Sequence, residues 1–251
     1  MCARVLITGA AGFLGRTLAS VLAEENEIRL FDLVAPAAVK GGDWILGDVS
    51  DPAAVARACA GIEAVVIAHM APNRPEIYGE PRVPFDVNVK GTALLFHYAV
   101  AAGVKRVILI SSCAVIHRDF RGGKFVTRYL PPSPVGLYSL SKAAQELIAS
   151  YYHDNAKLPV AVLRPASIID EDTLLDKYGQ KKAAANWHFV DPRDIAHVAA
   201  AALRVDDLGY EIFYIFGPTE AQRHSDIAYT SRRLGWKPRH DFSRWPMEAP
   251  P

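Results

Sequence analysis

The stretch Arg4-Val5-Leu6-Ile7-Thr8-Gly9-Ala10-Ala11-Gly12-Phe13-Leu14-Gly15 decides the fold. Arg4–Thr8 is a short apolar run that reads as a strand. Phe13–Glu24 carries apolar residues at helical spacing. Between them, glycines fall at intervals of three. A turn that receives a pyrophosphate needs bare backbone, and the helix after it supplies unpaired N–H groups and a positive dipole end. Gly9 and Gly12 suit the turn, and Gly15 lets the helix lie close to the strand. Three glycines alone say little. Their place at the first strand–helix junction gives them weight.

Outward from that junction the same alternation continues. Ile28–Phe31, Ile45–Leu46, Ala64–His69, Arg106–Ser111 and Pro159–Arg164 read as strands. Asp51-Pro52 reads as the start of a helix, with an N-cap followed by proline. One long helix is expected over Pro84–Ala102, ended by Gly103. Leu137–Asn155 is a further helix. This order predicts an α/β protein with a doubly wound parallel sheet. After residue 166 the pattern weakens. The polar, lysine-containing stretch from Ile168 to Trp187 reads as an exposed or mobile loop. Asp191–Leu203 and Ser225–Leu234 read as helices, and Glu211–Phe216 as a strand. The proline-rich end reads as an untethered tail. The expected division is a dinucleotide-binding domain over 1–166 and a small substrate lobe over 167–251, interwoven with the main sheet.

Composition narrows the class. The chain has 251 residues, 51% of them hydrophobic, and a formal net charge of +1. That affords a sizeable core and no basic field for a nucleic-acid backbone. No apolar run reaches membrane-spanning length. The three cysteines are scattered, which fits a reducing, cytoplasmic setting better than a disulfide framework. The histidines are dispersed and form no metal-ligand pair at helical spacing, so no metal is expected.

Asp32 ends the second strand, where an acid can accept from adenosine ribose hydroxyls. Its charge repels a 2′-phosphate and so favours NAD over NADP. Arg29, earlier in that strand, is not placed to reverse this. Tyr138 and Lys142 open a helix and lie four apart on one face. A free tyrosine has a pKa of about 10. A neighbouring ammonium lowers it, so the pair could exchange a proton with an alcohol or carbonyl. Ser111 and Ser112 end the fifth strand, at the carboxyl edge where ligands of such sheets bind. A serine hydroxyl there can bond the same substrate oxygen. Asn88 is a candidate member of the surrounding polar network.

These features together resemble the extended short-chain dehydrogenase/reductases, the NAD-dependent epimerase/dehydratase family, over roughly residues 3–240. Thr8–Gly15 is similar to its TGxxGxxG motif. His69-Met70-Ala71, Asn88–Thr92, Ile110-Ser111-Ser112, Tyr138–Lys142, Leu163-Arg164-Pro165 and Phe189–Asp194 match further segments in order. The resemblance implies cofactor contacts at Gly9, Gly12, Phe13, Leu14, Gly15, Asp32, Leu33, Asp48, Val49, Ala68, His69, Met70, Asn88, Ser111, Tyr138, Lys142, Pro165 and Ser167. It implies catalytic roles for Ser112, Tyr138 and Lys142. It implies substrate contacts at Arg74, Ser112, Cys113, Ala114, Tyr138 and Ser167. The serine register is open by one residue, and Ser112 is preferred over Cys113, a poorer donor.

Short length, the compact end and Leu234–Pro238 resemble the uronate dehydrogenase branch. The expected arginine after strand six has no clear counterpart, and Asp170, Glu171, Asp172 and Asp176 make that stretch acidic. Arg74, Lys177, Lys181 and Lys182 are the available cations, although loop lysines are ordinarily solvated. The expected function is hydride transfer between NAD and a sugar, sugar acid or similar small polyol. An epimerase with tightly bound NAD and a non-catalytic dinucleotide sensor are the alternatives. A homodimer through the long helix and the Tyr138 helix is expected from the family, with Leu94, Leu95, Tyr98, Leu147 and Tyr151 as its apolar residues.

Overall fold

In the computed structural model, which describes residues 2–36, 42–72, 74 and 76–248, seven parallel strands form one sheet. The strands are β1 (Arg4–Thr8), β2 (Glu27–Asp32), β3 (Asp43–Leu46), β4 (Ala64–Ile67), β5 (Arg106–Ile110), β6 (Val160–Pro165) and, late in the chain, β9 (Tyr210–Ile215). Their order is β3-β2-β1-β4-β5-β6-β9. The order reverses between β1 and β4, which opens a crevice at the carboxyl ends of those strands. β1, β4, β5 and β6 are apolar almost throughout because helices cover both faces. Each face has its own buried cluster.

α1 (Phe13–Leu22) follows β1, and α2 (Pro52–Cys59) is capped by Asp51, which accepts from Ala53 N at 3.0 Å. The long helix expected over 84–102 is three pieces: α3 (Arg82–Pro84), a π-helical stretch (Phe85–Lys90) and α4 (Gly91–Ala101). The π stretch swings Asn88 inward, where it is fully buried. A short α5 (His117–Arg121) precedes α6 (Leu137–Ala156). α7 (Pro192–Leu203) and α8 (Ile227–Leu234) follow the second, two-stranded sheet of β7 (Ser167–Ile168) and β8 (Phe189–Val190).

Two expectations for the C-terminal part fail. The segment 168–187 is not exposed throughout: Ile169, Leu174 and Ala185 are buried with Phe189 and Phe242 in a third apolar cluster. The end of the chain is not untethered either. Phe242 is fully buried, Trp245 Nε1 donates to the Glu171 carbonyl at 2.7 Å, and Arg244 pairs with Asp172. The acidic residues of one segment thus hold the cations and N–H groups of the other. β9 adds the seventh strand to the main sheet, so residues after 166 complete the sheet as well as forming the small lobe.

Candidate active site

A cavity of about 440 Å³ opens at the carboxyl ends of β1, β4, β5 and β6. Its floor is the glycine turn. Gly9 has φ +69°, and a Cβ there would fall 2.7 Å from His69 Cα. A Cβ on Gly15 would fall 2.0 Å from the Gly9 carbonyl oxygen. Both glycines are therefore demanded by close backbone approach. Gly12 lines the cavity, and no side chain caps the start of α1. Asp32 braces the turn, accepting from Ala11 N at 2.9 Å and Leu33 N at 2.7 Å. Each carboxylate oxygen keeps further acceptor capacity. A bare-backbone cradle, an open helix N-terminus and an acid beside it fit a dinucleotide such as NAD. Arg29 is engaged elsewhere, with Asp43 and the carbonyls of Ala58 and Ala60.

Ser112, Tyr138 and Lys142 all line the same cavity, with Ser111, Ala68, Met70, Pro165 and Ser167. Tyr138 enters from the first turn of α6, and Ser112 lies just beyond β5. The phenol of Tyr138 is held high, to about 12, by burial, with the Ser112 hydroxyl bonding it and opposing the shift. Lys142 Nζ donates to the Ile110 carbonyl at 2.9 Å, and its pKa falls to about 7 through burial first and the charge of Lys177 second.

Asn88 holds the wall behind this pair. Its Oδ1 accepts from Ala71 N at 2.7 Å, and its Nδ2 donates to Ser141 Oγ at 2.9 Å and Tyr78 Oη at 3.2 Å. Tyr78 stacks edge-on against Tyr138, with centroids 5.5 Å apart. His69 is buried, shares a hydrogen bond with Thr8 Oγ1 at 2.9 Å, and is kept neutral by burial and the Lys142 charge, near pKa 3. It supports the turn from behind and does not line the cavity.

Other expected contact residues, like Asp32 and Asn88, are not part of the cavity wall. Asp48 is exposed and accepts from Ser50 N, and Val49 packs under Gly91. Leu33 is exposed past the end of β2. Arg74 is exposed and outside the cavity wall. Cys113 is buried, its thiol donating to the Arg164 carbonyl at 3.2 Å, and Ala114 sits in the turn that follows. Neither lines the cavity.

Sequence reasoning named Lys177 and Lys182 only as available cations and missed the rest of the opposite wall. Ile168, Ile169, Asp176, Lys177, Tyr178 and Lys182 close the cavity from the supposed loop. The clustered acids and lysines of 170–182 were a sign of local pairing, but nothing in their spacing pointed at the site. It also missed the buried pair Glu146–Arg164 beneath the site, at 2.6 Å.

Among the described residues no cluster of three or more His, Cys, Asp or Glu side chains could hold a metal, and no helix is long and apolar enough to cross a membrane.

Relatives agree with this architecture. The chain is 27% identical over 270 residues to the NAD-dependent glucose-6-phosphate dehydrogenase of Haloferax volcanii, covering 98% of this chain and 97% of that protein. It is 30% identical over 217 residues to the uronate dehydrogenase of Pseudomonas syringae pv. tomato, covering 84% of this chain and 73% of that one. Among solved structures, a tyrosine-to-alanine mutant of uronate dehydrogenase from Agrobacterium tumefaciens, complexed with NAD, superposes with a TM-score of 0.75 at 25% identity, covering 95% of this chain and 85% of that chain. The sequence profile of the NAD dependent epimerase/dehydratase family matches residues 5–213. The protein with the cavity described above belongs to the NAD dependent epimerase/dehydratase family.

Proposed function

We propose that this protein is an NAD-dependent dehydrogenase that moves hydride between the nicotinamide and a hydroxyl- or carbonyl-bearing carbon of a sugar, sugar acid or similar small polyol. One observation carries the reading: Ser112, Tyr138 and Lys142 converge on the cavity whose floor is the glycine turn. The relatives named above are dehydrogenases of a sugar phosphate and of uronates, and a further one, 24% identical, is an L-arabinose 1-dehydrogenase (NAD(P)(+)) of Haloferax volcanii. Their substrates differ in charge, so the shared element is oxidation of a sugar.

Gly9, Gly12, Gly15 and the start of α1 hold the pyrophosphate, and Asp32 takes the adenosine ribose. Lys142 holds the nicotinamide ribose hydroxyls. NAD, when bound, supplies the hydride acceptor. The Tyr138 phenol oxygen takes the proton from the substrate hydroxyl in oxidation and returns one in reduction. Ser112 bonds the same substrate oxygen and steadies the charge that develops on it. The segment 167–251 acts as the substrate lobe. The chain pairs as a homodimer through α4 and α6, where Leu147 and Tyr151 are 73% and 60% exposed, while Leu95 lies in the core. Its three free thiols suit a cytoplasmic protein.

The test is absorbance of NADH on a panel of hexuronates, aldoses and cyclitols with NAD and NADP. NADH formation from at least one sugar is expected. Sugar conversion without net NADH would mean epimerisation instead. Tyr138→Phe should bind NAD and lose turnover by about 100-fold or more. An unchanged rate would remove Tyr138 from the mechanism, and a strong NADP preference would remove Asp32 from cofactor choice.

A further inference from the structure

In the wall supplied by residues 170–182, Lys177 lines the cavity with no ion-pair partner among the described residues. Leu174 is buried, and backbone bridges pair Ile169 with Asp176 and Leu175 with Lys181. The tip is fixed by Asp176, whose Oδ1 accepts from Tyr178 N at 2.8 Å and Gln180 N at 2.9 Å. Its Oδ2 pairs with Lys182 at 2.8 Å. Lys182 lines the cavity too, but its charge is met. Lys181 points into solvent.

Lys177 differs from both. Its side chain is half-buried along the cavity wall. Its Nζ stands 3.8 Å from Met70 Sδ, 5.2 Å from the Tyr178 ring centroid and 6.0 Å from the Tyr138 ring centroid. Among the described residues no carboxylate lies within ion-pair distance of it. A merely solvated lysine would carry its head outward and leave its neighbours undisturbed. Lys177 instead presses its charge on Lys142, which lines the same cavity and whose Nζ reaches only a backbone carbonyl. Two lysine side chains thus share one partly dry cavity, where an ammonium on one disfavours an ammonium on the other. Withdrawing an unpaired charge from water is costly, and a like charge adds to the cost. An anion in the cavity relieves both. A charge-assisted hydrogen bond to a compact ammonium suits a carboxylate or a phosphate equally.

We propose that Lys177 is a specificity-determining residue that holds an anionic group of the substrate, a carboxylate or a phosphate monoester, so that the substrate is an anionic sugar. This rests on the dehydrogenase reading of the cavity and narrows it. The hairpin built on Asp176 sets the Lys177 ammonium near the Tyr138 ring. A sugar lying between them places its reacting hydroxyl at the phenol and its anionic substituent at Lys177.

The experiment compares kcat/KM with NAD for D-glucuronate, D-glucose 6-phosphate and D-glucose. The wild-type protein should favour one of the two anionic sugars, and the arm that responds identifies carboxylate or phosphate. In Lys177→Met the ratio of anionic to neutral kcat/KM should fall roughly 30-fold, as for loss of a hydrogen bond to a charged group. Lys177→Arg should retain most of the ratio, and Lys181→Met, on the exposed neighbour, all of it. An equal loss for all three sugars would make Lys177 a structural residue and overturn the proposal. So would a wild-type protein that favours glucose. A second readout is calorimetric binding of the same three sugars to Tyr138→Phe loaded with NAD, with and without Lys177→Met. Binding of an anionic sugar that depends on Lys177, with no NADH formed by the wild type from any sugar, would overturn the dehydrogenase reading and keep the anion site. NADH from glucose with binding indifferent to Lys177 would do the reverse.

Discussion

Lys142 is 3% exposed, and no carboxylate pairs with it among the described residues. Burial, reinforced by Lys177, lowers its pKa to about 7. The unfolded chain returns it to the ordinary lysine value of about 10.4. Below pH 7 both states carry the proton, and the folded protein bears the full cost of a buried ammonium. Between pH 7 and the free value the unfolded chain binds more protons, so the protein gains stability as pH rises. Lys142→Met should therefore raise the Tm of the cofactor-free protein at pH 6, and the advantage should shrink steadily toward pH 10. A variant that melts lower than wild type at pH 6 would show that the Ile110 carbonyl bond outweighs the charge. Cysteine chemistry is also set residue by residue. Burial pushes the Cys59 thiol up to about 12 and raises the Cys113 thiol as well, while Cys2 is exposed. Thiolate, not thiol, reacts. A thiol reagent at pH 8 should therefore titrate Cys2 alone in the native protein and all three after denaturation. Rapid native modification of Cys113 would contradict its placement in the core.

Elements were legible wherever local pattern makes them. The glycine turn, the Asp51 cap and the Tyr138–Lys142 helix face rest on residues within a few positions of one another. The π-helical stretch did not show, because its sequence has the same apolar spacing as an ordinary helix. Asn88 reaches Ala71, Tyr78 and Ser141 only through that extra residue per turn. The segment 168–187 and the end of the chain were misread for a different reason. Glu171 meets Phe242 and Trp245 from more than 70 positions away, and no periodicity announces such a pairing. Phe242 is the keystone of this tie. It is fully buried against Phe189 and accepts a positive φ of 59° to get there. Phe242→Ala should cost about 3–5 kcal/mol. Because Leu174 shares the cluster, the same change should loosen the Asp176 hairpin. Limited proteolysis should then cut within 170–182 before any other site. A variant whose first cut lies elsewhere would uncouple the chain end from the cavity wall.

At the scale of the whole molecule, one buried network joins pieces that the sequence places far apart. Arg164 ends β6 and is 1% exposed. It grips Glu146 on α6 with two bonds, at 2.9 Å and 2.6 Å, and reaches the Tyr214 hydroxyl on β9 at 2.6 Å. Glu146 also accepts from Ser111 at the end of β5, and the Arg164 carbonyl accepts from Cys113. The sequence showed an arginine at a strand end and a glutamate in a helix, both ordinary surface positions when read locally. Only the sheet order, which brings β9 beside β6, encloses them. Separating two charges from water costs several kcal/mol for each, and mutual attraction with good geometry offsets that cost without much surplus. Removing one partner leaves the other charged and unpaired. Glu146→Leu or Arg164→Met should each cost about 3–5 kcal/mol, whereas the double variant Glu146→Leu/Arg164→Met should be less destabilised than either single one. Urea midpoints of the four proteins decide it. Additive losses would mean that each residue acts through packing alone, and the network would then not be what ties α6, β6 and β9 together beneath Tyr138.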